Sequence, residues 1–217
     1  MESKLILFQG DSVTDANRMR EDQQTWNKGH RLGDGYANFV AAKIGYNCLD
    51  KNYSFINKGL AGNRIRDLYA RIQEDAINLK PDILSILIGV NEVWCKIHQD
   101  CGTVEPKRFE AVYRLMLDEI REKLPDTKLI IIEPFLLDVE TMTNGYAAWK
   151  AYLEPLQPVV KRVAEEFGCI FIPMQSKFNE LCTIRPAEYW IWDGVHPTSA
   201  GHEAIAKAWL EAAQGIL

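Results

Sequence analysis

The chain has 217 residues, 47% hydrophobic and 25% charged, a composition that fits a soluble globular domain with one buried core. Its net charge of −5, with signs interspersed, argues against nucleic acid and against a membrane surface, since both call for clustered Lys and Arg. No stretch approaches the ~20 apolar residues of a membrane span.

Leu5–Phe8 is shorter than the ~7–15-residue apolar core of an export signal, and no small-residue cleavage site follows it. The five cysteines (Cys48, Cys95, Cys101, Cys169 and Cys182) are odd in number and scattered, with no Cys-x-x-Cys pair. The expectation is a cytoplasmic protein with reduced thiols and no zinc site. The glycosylation sequon Asn52-Tyr53-Ser54 carries no weight in that compartment.

Short apolar runs predict five strands, at Leu5–Phe8, Ser54–Asn57, Ile83–Ile88, Leu129–Ile132 and Cys169–Ile172. Between them, helix-period segments cover Tyr36–Ile44, Ile65–Asn78, Pro106–Leu124 and Tyr146–Phe167, and a last helix runs from Ser199 to about Ala213. The third run is almost continuously apolar, as a strand covered on both faces must be. Strands alternating with helices imply right-handed crossovers and a parallel sheet. The expected fold is therefore an α/β three-layer sandwich with a five-stranded parallel sheet, forming one domain over residues 1–217. Pro106 fits a first helical turn and Gly168 a helix C-terminal cap, while Pro155 and Pro158 predict a break in the fourth segment.

In such a sheet, functional groups gather beyond the carboxyl ends of the strands. Three segments meet that condition: Ser12 after the first strand, Gly59–Gly62 after the second, and the loop Gly89-Val90-Asn91 after the third. Near the end of the chain, Asp193 lies three residues before His196, with Pro197 and a helix start behind it. A serine hydroxyl is a poor nucleophile until a base takes its proton. His196 can be that base, and Asp193 can fix its tautomer through the other ring nitrogen. Attack on an ester creates an oxyanion, for which the candidate donors are Ser12 N–H, Gly62 N–H and the Asn91 side-chain amide.

Read in order, Gly10-Asp11-Ser12, Gly59-Leu60-Ala61-Gly62-Asn63, Gly89-Val90-Asn91-Glu92 and Asp193-Gly194-Val195-His196-Pro197 resemble the SGNH (GDSL) hydrolase superfamily. The resemblance implies a flavodoxin-like sheet, a Ser12/His196/Asp193 triad and an oxyanion hole of Ser12, Gly62 and Asn91. It also gives Asp11 a supporting role in the loop around the nucleophile. The Gly-x-Ser-x-Gly elbow of α/β-hydrolases is absent. One departure stands out: Glu92 occupies the place of the usual Asp in the third block, where a change in loop packing is expected. The stretches Leu32-Gly33-Asp34-Gly35-Tyr36, Asn57 to Leu68 and Ile88 to Trp94 are also similar to intracellular bacterial acetylxylan esterases, which implies an acetylated xylo-oligosaccharide as substrate.

Each residue also has a plainer explanation. An isolated Gly-Asp-Ser is ordinarily a turn; His196 alone could be a helix-entry residue and Asp193 alone an N-cap. The order and completeness of the four blocks outweigh these. Trp94 and Trp192 flank the site in sequence and are candidates for stacking on a sugar ring or for core and interface packing. The insert Ala16–Arg31 (with Arg18, Arg20, Glu21, Asp22, Lys28 and Arg31) is either a solvated loop or a polar wall of the substrate cleft. Gly33 and Gly35 lack the third glycine of a dinucleotide loop and suit packing at a helix start.

His30 and His98 show no partner in the sequence, and His202 reads as structural or solvated, so neither a metal nor an organic cofactor is expected. The expected partner is a small-molecule ester, with a second copy of the chain as a further candidate through Trp190, Ile191 and Trp192. A lysophospholipase or thioesterase of the same superfamily, and an inactive carbohydrate-binding protein, are the alternatives to an acetylesterase.

Overall fold

The computed structural model describes residues 3–20, 28–101 and 104–217. Five strands form one all-parallel sheet: β1 (Lys4–Gly10), β2 (Tyr53–Asn57), β3 (Ile83–Leu87), β4 (Lys128–Ile132) and β5 (Ile170–Ile172), in the order β2-β1-β3-β4-β5. This is the doubly wound arrangement whose strand order reverses between β1 and β3. The pleat sends alternate residues to opposite faces. Ile6 and Phe8 enter one core and Leu7 the other; Ile130 and Ile132 enter the first, Leu129 and Ile131 the second.

The first face is covered by α2 (Tyr36–Asn47) and α11 (Ser199–Ala213), through Tyr36, Val40, Ile44, Ile205 and Trp209. The Trp209 indole N–H donates to Ser85 Oγ at 3.0 Å, which satisfies the one polar side chain of the fully buried β3. The opposite face is covered by α3 (Ile65–Ala70), α6 (Pro106–Lys123) and α8 (Gln157–Glu166), through Leu68, Phe109, Tyr113, Leu117, Val160 and Val163. Pro106 occupies the first turn of α6. Gly168, at φ +62°, ends the turn after α8, with its N–H on Glu165 O and that of Cys169 on Ala164 O. The expected proline break separates α7 (Tyr146–Leu153) from α8.

Two readings of the sequence need correction. The segment Ile65–Asn78 is not one helix: it divides into α3, the single turn α4 (Ile72–Asp75) and a 3₁₀ turn at Ile77–Leu79. The first interruption falls at Arg71, where the backbone leaves the helical region at φ −116° and ψ 10°. The stretch from Val90 is not a loop but the start of α5 (Val90–Gln99), whose apolar Val90, Val93 and Ile97 recur at helical spacing. A further helix, α9 (Met174–Cys182), packs Met174 and Phe178 into the first core. Among the described residues, no helix is long and apolar enough to cross a membrane.

Candidate active site

The point of strand reversal puts the end of β1 beside the end of β3, with Gly10 opposite Leu87. Two residues beyond Gly10, Ser12 opens the one-turn helix α1 (Ser12–Asp15). Its N–H therefore has no partner within that helix. Asp11 caps the turn, its carboxylate accepting the N–H of Val13 at 3.0 Å. Burial pushes the Asp11 carboxyl up to about 7, although the Val13 N–H and the nearby His196 charge pull the other way. Its hydrogen bond is with the backbone of its own turn.

The loop after β2 is tied to this turn by several bonds. Asn57 donates from its amide to Thr14 O (2.6 Å) and Leu32 O (2.8 Å), and its oxygen accepts from Gly59 N. Leu60 N–H reaches Gly10 O, and Ala61 N–H reaches the Asp15 carboxylate. Arg71, mostly buried, braces the assembly from below. It donates to Asn63 Oδ1 (2.8 Å), to Lys58 O (2.9 Å), to Gly10 O (3.4 Å) and to Asp75. Gly62 stands at φ +83°, a region costly for residues with a Cβ, and the space beside it is open. Asn91, in the first turn of α5, is nearly buried and donates one amide hydrogen to Asn63 O at 3.0 Å. That bond fixes which end of the amide is nitrogen and leaves the second N–H for another acceptor.

Asp193 organises the remaining block. Its Oδ1 accepts the N–H groups of Val195 (2.9 Å) and His196 (2.7 Å), and its Oδ2 lies 2.6 Å from His196 Nδ1. A carboxylate only accepts, so Nδ1 carries the ring proton and Nε2 is left to accept. Nε2 lies 2.8 Å from Ser12 Oγ. Burial alone would raise the Asp193 pKa; the bonds from the His196 ring and the two N–H groups outweigh it and hold the group below its ordinary value. For His196 burial opposes charging, but the bond to Asp193, its charge and that of Asp11 prevail, so the ring is more basic than usual. Thr198 caps α11 behind the block through Gly201 N, and Thr198 N–H donates to Trp190 O, the end of the single turn α10 (Ala187–Trp190).

Two openings meet at His196. The larger, about 410 Å³, is lined by Ser12, His196, Asp15, Asn17, Asp34 and Trp192 among others. The smaller, about 180 Å³, is lined by Asn91, His196, Val90, Trp94, His98 and Trp149. Trp94 and Trp192, both exposed, thus fall on different sides of the histidine. Trp192 stacks on the His196 ring at 5.6 Å and 22°. Trp94 and the buried Trp149 flank His98, at 5.1 and 6.1 Å. Of the three candidate interface residues, Ile191 is fully buried and belongs to the core, while Trp192 is exposed.

The polar insert is no free loop where it is described. Arg18 donates to Gly59 O at 2.8 Å, Arg20 pairs with Asp15 at 2.7 Å, and Ala16 and Asn17 line the larger opening. Glu21, Asp22 and the Lys28 side chain lie outside the described residues. His30 stands 3.7 Å from the exposed Asp34. Arg71, His98 and His202 are the site residues whose place the sequence did not reveal. Arg71 had no readable partner because it grips backbone carbonyls; His98 meets Trp94 of its own helix, four residues before it, and Trp149 of α7, which the sequence does not place beside it.

The model of the GDSL-like Lipase/Acylhydrolase family matches residues 8–204 of the chain. The chain is 35% identical over 211 residues to an acetylxylan esterase of Geobacillus stearothermophilus, covering 94% of this chain and 91% of that one. The crystal structure of Axe2, an acetylxylan esterase from that organism, superposes with a TM-score of 0.83 at 31% identity, over 96% of this chain and 93% of that one. Catalytic mutants of Axe2 carry a Ser-to-Ala and an Asp-to-Ala change. A GDSL-like protein from Parabacteroides merdae superposes with a TM-score of 0.87 at 35% identity, over 97% and 95% of the two chains.

Proposed function

The chain belongs to the GDSL-like lipase/acylhydrolase family and is a carboxylic ester hydrolase; we propose that it removes acetyl groups from a small carbohydrate, such as an acetylated xylo-oligosaccharide, through a Ser-His-Asp acyl-enzyme mechanism. The observation that carries this reading is the continuous line from Asp193 through His196 to Ser12, with contacts of 2.6 and 2.8 Å.

In this mechanism His196 Nε2 takes the Ser12 proton as Oγ attacks the acetyl carbonyl. Asp193 stabilises the imidazolium that forms. The carbonyl oxygen becomes an oxyanion held by Ser12 N–H, Gly62 N–H and the second N–H of Asn91, donors fixed before the reaction begins. His196 then protonates the departing sugar oxygen. Water enters, gives a proton to His196 and attacks the acyl-enzyme; the proton returns to Ser12, and acetate leaves. These steps use no metal and no organic cofactor. In the same reading the chain is one hydrolase domain and works in the cytoplasm with its five thiols reduced.

Three features support a sugar ester over a fatty one. The larger opening presents a carboxylate and an amide (Asp34 and Asn17), which suit a hydroxyl-rich alcohol. The smaller one, beside Asn91, has room for a short acyl group and is walled by aromatic rings. The similarity to the Geobacillus acetylxylan esterase points the same way. Incubating the protein with acetylated xylo-oligosaccharides and following the mass of each oligomer tests the assignment. Successive losses of one acetyl mass are expected with the native chain and none with Ser12→Ala; intact oligomers with the native chain would overturn the substrate.

A further inference from the structure

His202 takes no part in the ester chemistry above, yet its ring lines the larger opening with Ser12 and His196. It lies in the first turn of α11. Its Nδ1 sits 3.2 Å from the backbone N–H of Tyr36, the first residue of α2, and accepts from it. A ring nitrogen that accepts holds no proton, so the neutral ring carries its hydrogen on Nε2. Burial, reinforced by the charge of His196, pushes the pKa down to about 4, so the ring remains neutral under the conditions in which His196 serves as a base.

The ring is also fixed in place. It packs over Gly35 so closely that a Cβ there would meet its Cε1 at 2.8 Å, with Ala16 at 2.6 Å on the other side. Among the described residues Nε2 has no hydrogen-bond partner, and it is not among the side-chain atoms sealed from solvent without one. It is therefore an oriented N–H donor open to the cleft.

With the acyl group in the smaller opening, as the proposed function has it, the alcohol half lies in this cleft, where Ser12 and His196 stand together and His196 can protonate the leaving oxygen. The exposed Asp34 carboxylate can accept from sugar hydroxyls but cannot donate to them. We propose that His202 is a specificity-determining residue, donating its Nε2–H to a hydroxyl or ring oxygen of the sugar that carries the acetyl group. This rests on the sugar-ester reading given under the proposed function.

Two substitutions separate binding from bracing. His202→Asn can keep an acceptor for the Tyr36 N–H while removing the donor at Nε2. His202→Gln can keep a donor near Nε2 while giving up the acceptor at Nδ1. The measured quantity is kcat/KM for monoacetyl xylobiose divided by that for 4-nitrophenyl acetate, whose alcohol half has no hydroxyl to recognise. His202→Asn is expected to lower this ratio about tenfold, the size of one hydrogen bond, mainly through KM. His202→Gln is expected to retain most of it. A ratio within twofold of the native value in His202→Asn would overturn the proposal, as would an equal fall in both variants, which marks a bracing role alone. Failure of the substrate reading shows separately, as a native chain that hydrolyses monoacetyl xylobiose no better than ethyl acetate; the inference then falls with it.

Discussion

Ser12 Oγ and His196 Nε2 stand 2.8 Å apart although the two residues are 184 positions apart in the chain. The parallel sheet makes this possible, because every strand delivers its carboxyl end to the same edge. If this contact is the nucleophile–base pair, Ser12→Ala lowers turnover of 4-nitrophenyl acetate by ~10⁴-fold or more while the circular dichroism spectrum and melting temperature stay native. Native rates in that variant would remove Ser12 from the chemistry.

The Asn91 amide is already committed by one hydrogen to Asn63 O, so its geometry is set before substrate arrives. Removing a donor of this kind typically lowers kcat by roughly 10²–10³-fold with little change in KM, since it acts on charge that exists only in the transition state. Asn91→Ala is expected to behave so in steady-state kinetics with 4-nitrophenyl acetate. A rise in KM at constant kcat would instead assign Asn91 to ground-state binding.

Proton linkage supplies a third test. In the proposed mechanism His196 is a base only when neutral, and its pKa lies above the ordinary 6.5: burial lowers it, but the bond and charge of Asp193, with the charge of Asp11, raise it by more. The profile of kcat/KM should therefore rise with pH through an inflection above 6.5 and flatten beyond it. Asp193→Asn removes the raising charge, so the inflection moves to lower pH while the plateau falls by about 10³–10⁴-fold. An inflection that stays in place would mean that another group sets the acid limb.

Much of this site could be read from the chain because its parts are local. β1 and β3 are buried on both sides and read as apolar runs, and the Asp193–His196 turn is closed within four residues. What escaped is held by contacts that leave no mark on residue type. Arg71 acts on Lys58 O and Gly10 O, carbonyls that any residue could supply. His202 answers a backbone N–H 166 positions away. α5 is a different case: its apolar spacing is present in the sequence, but Gly89 and Asn91 are residue types that turns share, which masks the helix start.

The departure at position 92 has a consequence for stability. Glu92 is fully buried; its Oε1 accepts the N–H of Ile65 at 2.8 Å, at the start of α3, and its Oε2 has no partner. Burial pushes the carboxyl up to about 8, against the pull of its backbone bonds. The unfolded chain loses this proton near the ordinary 4.5, so between about 4.5 and 8 folding takes up a proton and stability declines as pH rises. Above about 8 both states are ionised, and the contribution no longer changes. Glu92→Gln keeps an acceptor for Ile65 N–H and cannot titrate. Its melting temperature relative to the native chain should therefore rise steadily from pH 5 to pH 8. Asp11, pushed up to about 7, titrates in both chains, and its charge adds to the upward push on Glu92 in the native one. Melting curves that run parallel across this range would show that Glu92 does not change its protonation there.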